Sequence, residues 1–254
     1  MSIDVHYTVD GPEEAPLVVL SGSLGSTLEM WDPQMAGLAG RFRVVRYDIR
    51  GHGRSPLPRT PWTIADLGSD VLRLLDRLKA RRAHFAGLSI GGMTGMWLGA
   101  HAPERVGRLA LICTSPKLGT PEGWAAQAAL VRAKGTGAVA DAVIGRWFTP
   151  AFLEREPQIV ADLTSMIAGT PVEGYAGCCE AIGCMDLRGD LGSISAPTLV
   201  ITGEHDFAVP PEEGKLIADM IPGARLEVLA DAAHLASWER APQINDLLTA
   251  HFTA

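Results

Sequence analysis

Along this chain, short runs of aliphatic and β-branched residues alternate with stretches whose apolar residues recur every three or four positions. That is the pattern of strands separated by helices. Six runs read as strands: Leu17–Ser21, Phe42–Tyr47, Ala83–Gly87, Leu109–Cys113, Thr198–Thr202 and Leu226–Leu229. Between the second and third, Ile64, Leu67, Val71, Leu74, Leu75 and Leu78 share one helical face, and Thr63 with Asp66 offers a capping box at its start. Such alternation predicts the α/β class, a mostly parallel central sheet with helices on both faces.

The alternation stops between about Thr120 and Gly192, where the segments look helical, tryptophan occurs twice and no strand pattern is convincing. A helical insertion of this kind forms a lid over the carboxyl ends of the strands, where ligands bind in open α/β sheets. The expected organisation is therefore one domain, with residues 1–119 and 193–254 as core and 120–192 as a helical lid. Strands resume at Pro197, and Pro242 to Phe252 reads as a closing helix with Ile244, Leu247, Leu248 and Phe252 inward.

Composition narrows the class. The formal net charge is −7, and no basic run stands out to neutralise a phosphate backbone, so nucleic acid is not expected as a partner. The N-terminal residues lack the basic and apolar regions of a secretory signal, which points to the cytoplasm. The stretch from His84 to Pro103 carries no charged side chain and has the length of a membrane span, but its five glycines favour a buried turn and helix; no membrane partner is expected. The four cysteines, at 113, 178, 179 and 184, lack paired metal-ligand spacing and are read as free thiols, with no disulfide and no zinc.

Gly87-Leu88-Ser89-Ile90-Gly91 falls where a strand ends and a helix begins, the setting of a G-x-S-x-G nucleophile elbow. The plain alternative is a glycine-rich turn whose serine only caps the helix. A serine hydroxyl needs a base, and in this architecture the order is Ser, then Asp or Glu, then His. Asp206, in Gly203-Glu204-His205-Asp206 after the strand Thr198–Thr202, is the candidate acid, with Glu204 as local rival. His234, reached from the strand Leu226–Leu229 through Ala230-Asp231-Ala232-Ala233, is the candidate base. His205 and His251 are weaker candidates; His6, His52, His84 and His101 read as structural or surface residues.

A developing oxyanion needs donors, normally the backbone N–H after the nucleophile and one in the loop after the first core strand. These fall on Ile90 and Ser23, with Leu24 as the rival for the second. Arg50-Gly51-His52-Gly53-Arg54-Ser55 lacks the lysine and spacing of a phosphate loop and reads as a tight glycine turn. Trp31, Trp124 and Trp147 are candidates to line an apolar pocket, and Arg132, Lys134 and Arg146 to meet an anionic substrate.

These residues resemble the α/β-hydrolases, through the Ser89 elbow, Asp206, His234 and the turn Asp48-Ile49-Arg50-Gly51-His52-Gly53. A narrower similarity is to the 3-oxoadipate enol-lactonases. It rests on Ser23 to Gln34, on Gly87 to Ala100 with Ala102-Pro103-Glu104-Arg105, on Arg146-Trp147-Phe148-Thr149-Pro150, and on Glu173 to Cys179. Most α/β-hydrolases carry His-Gly before the oxyanion loop, and this chain has Ser21-Gly22, where enol-lactonases are often irregular. The resemblance implies hydrolysis of 3-oxoadipate enol-lactone to 3-oxoadipate through an acyl-enzyme on Ser89, in aromatic-compound degradation, without cofactor or metal. It also implies a small anionic substrate, for whose carboxylate Arg146 is the chosen cation. Rivals on the same fold are other ester hydrolases, perhydrolases, carbon–carbon bond hydrolases and a non-catalytic ligand-binding protein. Dehalogenases and epoxide hydrolases are disfavoured, because they place Asp where Ser89 stands. Oligomeric state is left open.

Overall fold

The computed structural model describes residues 2–254. Seven strands form one sheet: β1 (Tyr7–Asp10), β2 (Leu17–Ser21), β3 (Arg43–Tyr47), β4 (Ala83–Leu88), β5 (Val106–Ile112), β6 (Thr198–Gly203) and β7 (Arg225–Leu229). Their order is β1-β3-β2-β4-β5-β6-β7, parallel throughout except that β1 runs antiparallel to β3. The six strands expected from the sequence are all present; β1 is an addition. It is four residues long, lies at the sheet edge and is only partly buried, so it carries no apolar run to betray it.

The helices are α1 (Asp32–Leu38), α2 (Ile64–Arg77), α3 (Ile90–His101), α4 (Pro121–Lys134), α5 (Gly137–Trp147), α6 (Pro150–Arg155), α7 (Pro157–Ala168), α8 (Val172–Cys184), α9 (Pro211–Met220), α10 (Ala236–Glu239) and α11 (Ala241–Thr253). The α2 capping box forms as its sequence implies: the Thr63 hydroxyl accepts from the Asp66 N–H, and the Asp66 carboxylate accepts from the Thr63 N–H. Ile64, Leu67, Val71, Leu74 and Leu75 are buried, and the face they make packs beside α3. The stretch from His84 to Pro103 resolves into β4, a turn and the buried 12-residue α3. Among the described residues no helix is long and apolar enough to cross a membrane. Between β5 and β6 the chain forms five helices, α4 to α8, and no strand.

Two features of the sheet place the chemistry. The chain steps from β2 to β3 in one direction and from β4 onward in the other, so β2 and β4 are neighbours whose following loops diverge, the crevice where open α/β sheets bind ligands. Register then sets which residues meet. Ser21 pairs with Gly87, bringing the loop after β2 beside Ser89, and Gly203 pairs with Leu229, bringing Asp206 beside the loop that carries His234.

Candidate active site

Ser89 sits between β4 and α3 at φ +59°, ψ −120°, a left-handed conformation that an L residue adopts only when its surroundings impose it. The flanking glycines make the turn possible by allowing close approach. A Cβ at Gly87 would lie 2.1 Å from the Gly91 carbonyl oxygen, and one at Gly91 would lie 2.2 Å from that of Ser21. Both obstacles are backbone, so a larger residue cannot be accommodated by a side-chain rotation. The Gly91 N–H donates to the Gly22 carbonyl at 3.1 Å and ties the helix start to the loop after β2.

Asp206 is buried, and both of its carboxylate oxygens are engaged. Oδ1 accepts from the N–H groups of Ala208 and Val209 at 2.9 and 2.8 Å, and Oδ2 lies 2.8 Å from His234 Nδ1. With Nδ1 donating to a carboxylate, the neutral imidazole carries its lone pair on Nε2. Glu204, the rival acid, is exposed and lies 4.0 Å from the equally exposed His205. His251 is spent elsewhere, its Nε2 against the Leu109 carbonyl at 3.1 Å. Cys113 Sγ is 3.8 Å from the Ala233 carbonyl, and burial, then the charge of Asp206, push its thiol pKa well up, so it stays protonated.

The loop bearing His234 is held on both sides. The Leu235 N–H donates to the Trp147 carbonyl at 2.8 Å, and the Ala233 N–H donates to the carboxylate of Glu239. The same carboxylate accepts the N–H and hydroxyl of Thr149 at 2.8 and 2.7 Å. Glu239 therefore joins the histidine loop to the junction of α5 and α6. Sequence reasoning did not single it out; its only local signal is an acid five positions after the histidine.

Ser89 and His234 line one cavity of about 330 Å³, with Ser23, Leu24, Trp124, Gln127, Val143, Arg146, Trp147, Tyr175 and Val209 among its other walls. Among the described residues no hydrogen bond joins the Ser89 hydroxyl to the imidazole, although both groups face the same cavity. Trp124 and Trp147 reach the cavity as expected, whereas Trp31 does not. Trp31 closes the short 3-10 turn Leu28–Trp31 with its side chain wholly in the core, because that turn packs against β3 and α1. Phe207, next to Asp206, also lines the cavity yet is 76% exposed, which puts it at the mouth. Arg146 lines the cavity and forms no ion pair among the described residues, while Arg132 is taken by Glu173 and Glu180 on α8. Burial raises the Tyr175 pKa, so this wall contributes a neutral phenol.

The two expected backbone donors fare differently. Ile90 is the first residue of α3, where N–H groups have no intrahelical acceptor, and its N–H has no acceptor among the described residues. The Ser23 N–H is not: it donates to the buried Met30 sulfur at 3.1 Å. The Leu24 N–H has no acceptor among the described residues, so the rival residue, rather than Ser23, presents the free donor in this loop. Nothing in a strand-and-loop pattern could reveal a sulfur seven residues ahead.

A family model for the alpha/beta hydrolase fold matches residues 15–144 and 155–241. The chain is 40% identical to 3-oxoadipate enol-lactonase 2 of Acinetobacter baylyi, over 98% of this chain and 92% of that protein. A protein named as a carbamate hydrolase, RutD of Variovorax paradoxus, is 34% identical over 95% of this chain and 93% of its own length. The crystal structure of the enol-lactonase from Burkholderia xenovorans LB400 superposes with a TM-score of 0.96 at 46% identity, covering 98% of this chain and 96% of that one.

Proposed function

This chain belongs to the α/β-hydrolase fold family, and on that premise we propose that it is a serine hydrolase opening the ring of 3-oxoadipate enol-lactone to give 3-oxoadipate. The observation that carries the reading is the content of one cavity: a strained serine, an imidazole backed by a buried carboxylate, Leu24 with its free N–H, and a guanidinium with no ion pair among the described residues. An anionic lactone uses every one of these.

In the proposed course the Ser89 oxygen attacks the lactone carbonyl while its proton passes to His234 Nε2, and Asp206 stabilises the resulting imidazolium. The carbonyl oxygen, now negative, is held by the N–H groups of Ile90 and Leu24. Collapse breaks the ring C–O bond. The leaving oxygen departs as an enolate, a weaker base than an alkoxide, and the released arm takes up the proton that His234 had gained, which restores the neutral imidazole, and settles as the ketone. His234 then takes a proton from water, whose oxygen attacks the Ser89 ester, and returns that proton to the Ser89 oxygen as the ester bond breaks and the second carboxylate is freed. One water is consumed in all. Arg146 faces the carboxylate that the lactone already carries.

The test is loss of lactone absorbance with wild type and with Ser89→Ala, each against spontaneous hydrolysis. Rapid loss with wild type and background loss with the variant is expected; background loss with both sinks the lactonase reading. The similarity to RutD makes a carbamate the first alternative substrate, and turnover of that compound with none of the lactone would replace the lactone in this scheme.

A further inference from the structure

The glycine turn after β3 takes no part in the steps above, yet its imidazole reaches the loop that carries Leu24. His52 is fully buried. Its Nε2 accepts from the Gly25 N–H at 3.0 Å, and its Nδ1 lies 3.2 Å from the Arg50 carbonyl, which can only accept. The proton is therefore on Nδ1 and the lone pair on Nε2. A neutral imidazole is one donor and one acceptor at fixed separation, which is what this bridge between two backbone groups requires.

The contact controls a dihedral that matters. Peptide planes are rigid, so the direction of the Leu24 N–H depends on how the planes on either side of it are held. The Leu24 N–H shares its peptide plane with the Ser23 carbonyl, which accepts from the Ser26 hydroxyl at 2.7 Å and the Ser26 N–H at 3.2 Å, and the plane before it is pinned by the Ser23 N–H to the Met30 sulfur at 3.1 Å. The plane after it, which joins Leu24 to Gly25, is pinned by the Gly25 N–H to His52, and one plane further on the Gly25 carbonyl accepts from the Thr170 hydroxyl at 3.2 Å. Gly25 itself lies at φ +80°, a conformation with no preference strong enough to hold the plane unaided. The Leu24 N–H is the group left over.

We propose that His52 is a positioning residue for the oxyanion loop, accepting from Gly25 so that the Leu24 N–H points at the oxygen that becomes negative. This rests on the serine-hydrolase reading above. Burial, opposed by the weaker pulls of the Arg50 carbonyl and Asp48, lowers the His52 pKa to about 4, so it remains an acceptor across the neutral range. As an imidazolium it would set an N–H against the Gly25 N–H.

The two nitrogens are separable by substitution. The Oε1 of Gln reaches roughly where Nε2 sits and keeps the acceptor for Gly25; Asn reaches only the Nδ1 position and keeps the donor to Arg50. We would measure kcat and KM for p-nitrophenyl acetate with wild type, His52→Gln, His52→Asn and His52→Leu, taking Ser89→Ala as zero. Removing an oxyanion donor outright costs about a hundredfold to a thousandfold, and misaiming one costs less, so Asn and Leu should lose about tenfold to a hundredfold in kcat with KM within about twofold. Gln should recover most of that loss. Equal losses for Gln and Asn, or a loss confined to KM, would overturn the proposal, since a turn-stabilising role has no reason to favour the acceptor over the donor. Wild type no faster than Ser89→Ala on p-nitrophenyl acetate and on the lactone alike would bring down the serine-hydrolase reading and this inference with it; a wild type active on either with a flat His52 series on that substrate overturns this inference alone. A measurement independent of variant folding is the 15N spectrum of the wild-type imidazole. It should show the neutral Nδ1–H form with a hydrogen-bonded Nε2, and an Nε2–H form would refute the assignment.

Discussion

Gly174→Ala tests whether the inserted helices are seated on the core as described. Gly174 lies in the first turn of α8, face to face with Gly51 in the turn after β3. A Cβ placed there would sit 1.9 Å from the Gly51 carbonyl oxygen and 2.6 Å from its carbonyl carbon. Ordinary non-bonded contact begins near 3.5 Å, so helix and turn would have to separate by roughly 1.5 Å. The turn cannot yield easily: the Gly51 N–H donates to Pro56, and the neighbouring Arg50 is buried and ion-paired to Asp70 through Nε at 2.7 Å. Overpacking costs about 1–3 kcal/mol, and with backbone on both sides the upper end applies. Against this, Ala exceeds Gly in helix propensity by at most about 1 kcal/mol. The net expectation is a loss of about 2 kcal/mol, or roughly 4–8 °C in Tm for a chain of this size. Gly145→Ala in α5 is the control, because a Cβ there meets nothing within 4 Å. It keeps only the propensity gain and should stabilise by up to about 1 kcal/mol. Urea and thermal unfolding followed by circular dichroism would read the pair. If Gly174→Ala were as stable as Gly145→Ala, the backbone contact between α8 and the turn would not exist as described.

Arg146→Ala should raise KM for the anionic lactone about tenfold while leaving p-nitrophenyl acetate nearly unaffected, since a charge-assisted contact contributes about 1.5 kcal/mol or more only where the substrate carries charge; equal effects on both substrates would remove the guanidinium from substrate recognition. Asp70→Asn removes the carboxylate that engages the buried Arg50 guanidinium at two points, while Asp66 remains beside it, and should destabilise by about 3 kcal/mol in urea unfolding; a loss under 1 kcal/mol would show the pair to be dispensable. His52 and His251 both have pKa values lowered to about 4, chiefly by burial. Protons therefore bind the unfolded chain better, so their contribution is complete above about pH 6.5 and is lost as pH falls toward 4, by up to about 3 kcal/mol for each. His251→Gln should remove about half of that slope, and a stability flat from pH 6.5 to 4.5 would contradict the burial of both rings.

Much of the fold is legible because its strands are buried on both faces and read as uninterrupted apolar runs: Val18–Leu20, Leu109–Ile112 and Leu199–Ile201 are essentially inaccessible. The edge strand β1 escapes notice for the opposite reason, since Val9 is 39% exposed and its neighbours are polar. Ser89, Asp206 and His234 stand out because their positions at strand ends are set by local pattern, and register then brings the ends together. What stays hidden is whatever depends on contacts between distant segments. Trp31 and Trp147 are indistinguishable as letters, and only the direction in which their helices pack sends one to the core and the other to the cavity. The choice of Leu24 over Ser23 turns on where the Met30 sulfur lies.

The inserted helices do more than roof the cavity, because they touch the loop that carries His234 and the loop after β2 that carries Leu24. The Trp147 carbonyl and the Thr149 N–H, at the end of α5 and before α6, grip the His234 loop directly and through Glu239. Thr170, before α8, donates to Gly25 in the oxyanion loop, and a Cβ at Gly25 would touch the Tyr175 ring at 3.0 Å. Gly174 rests on Gly51, one residue from the imidazole that holds Gly25. A change in these helices that alters cavity shape therefore also bears on the loops that hold the candidate base, His234, and the candidate oxyanion donor, Leu24. In an architecture where the triad is common to many activities, this coupling makes selectivity and turnover parts of one packing problem. Substrate range should accordingly shift through residues that never meet the substrate, Glu239, Thr170 and Gly174 foremost among them.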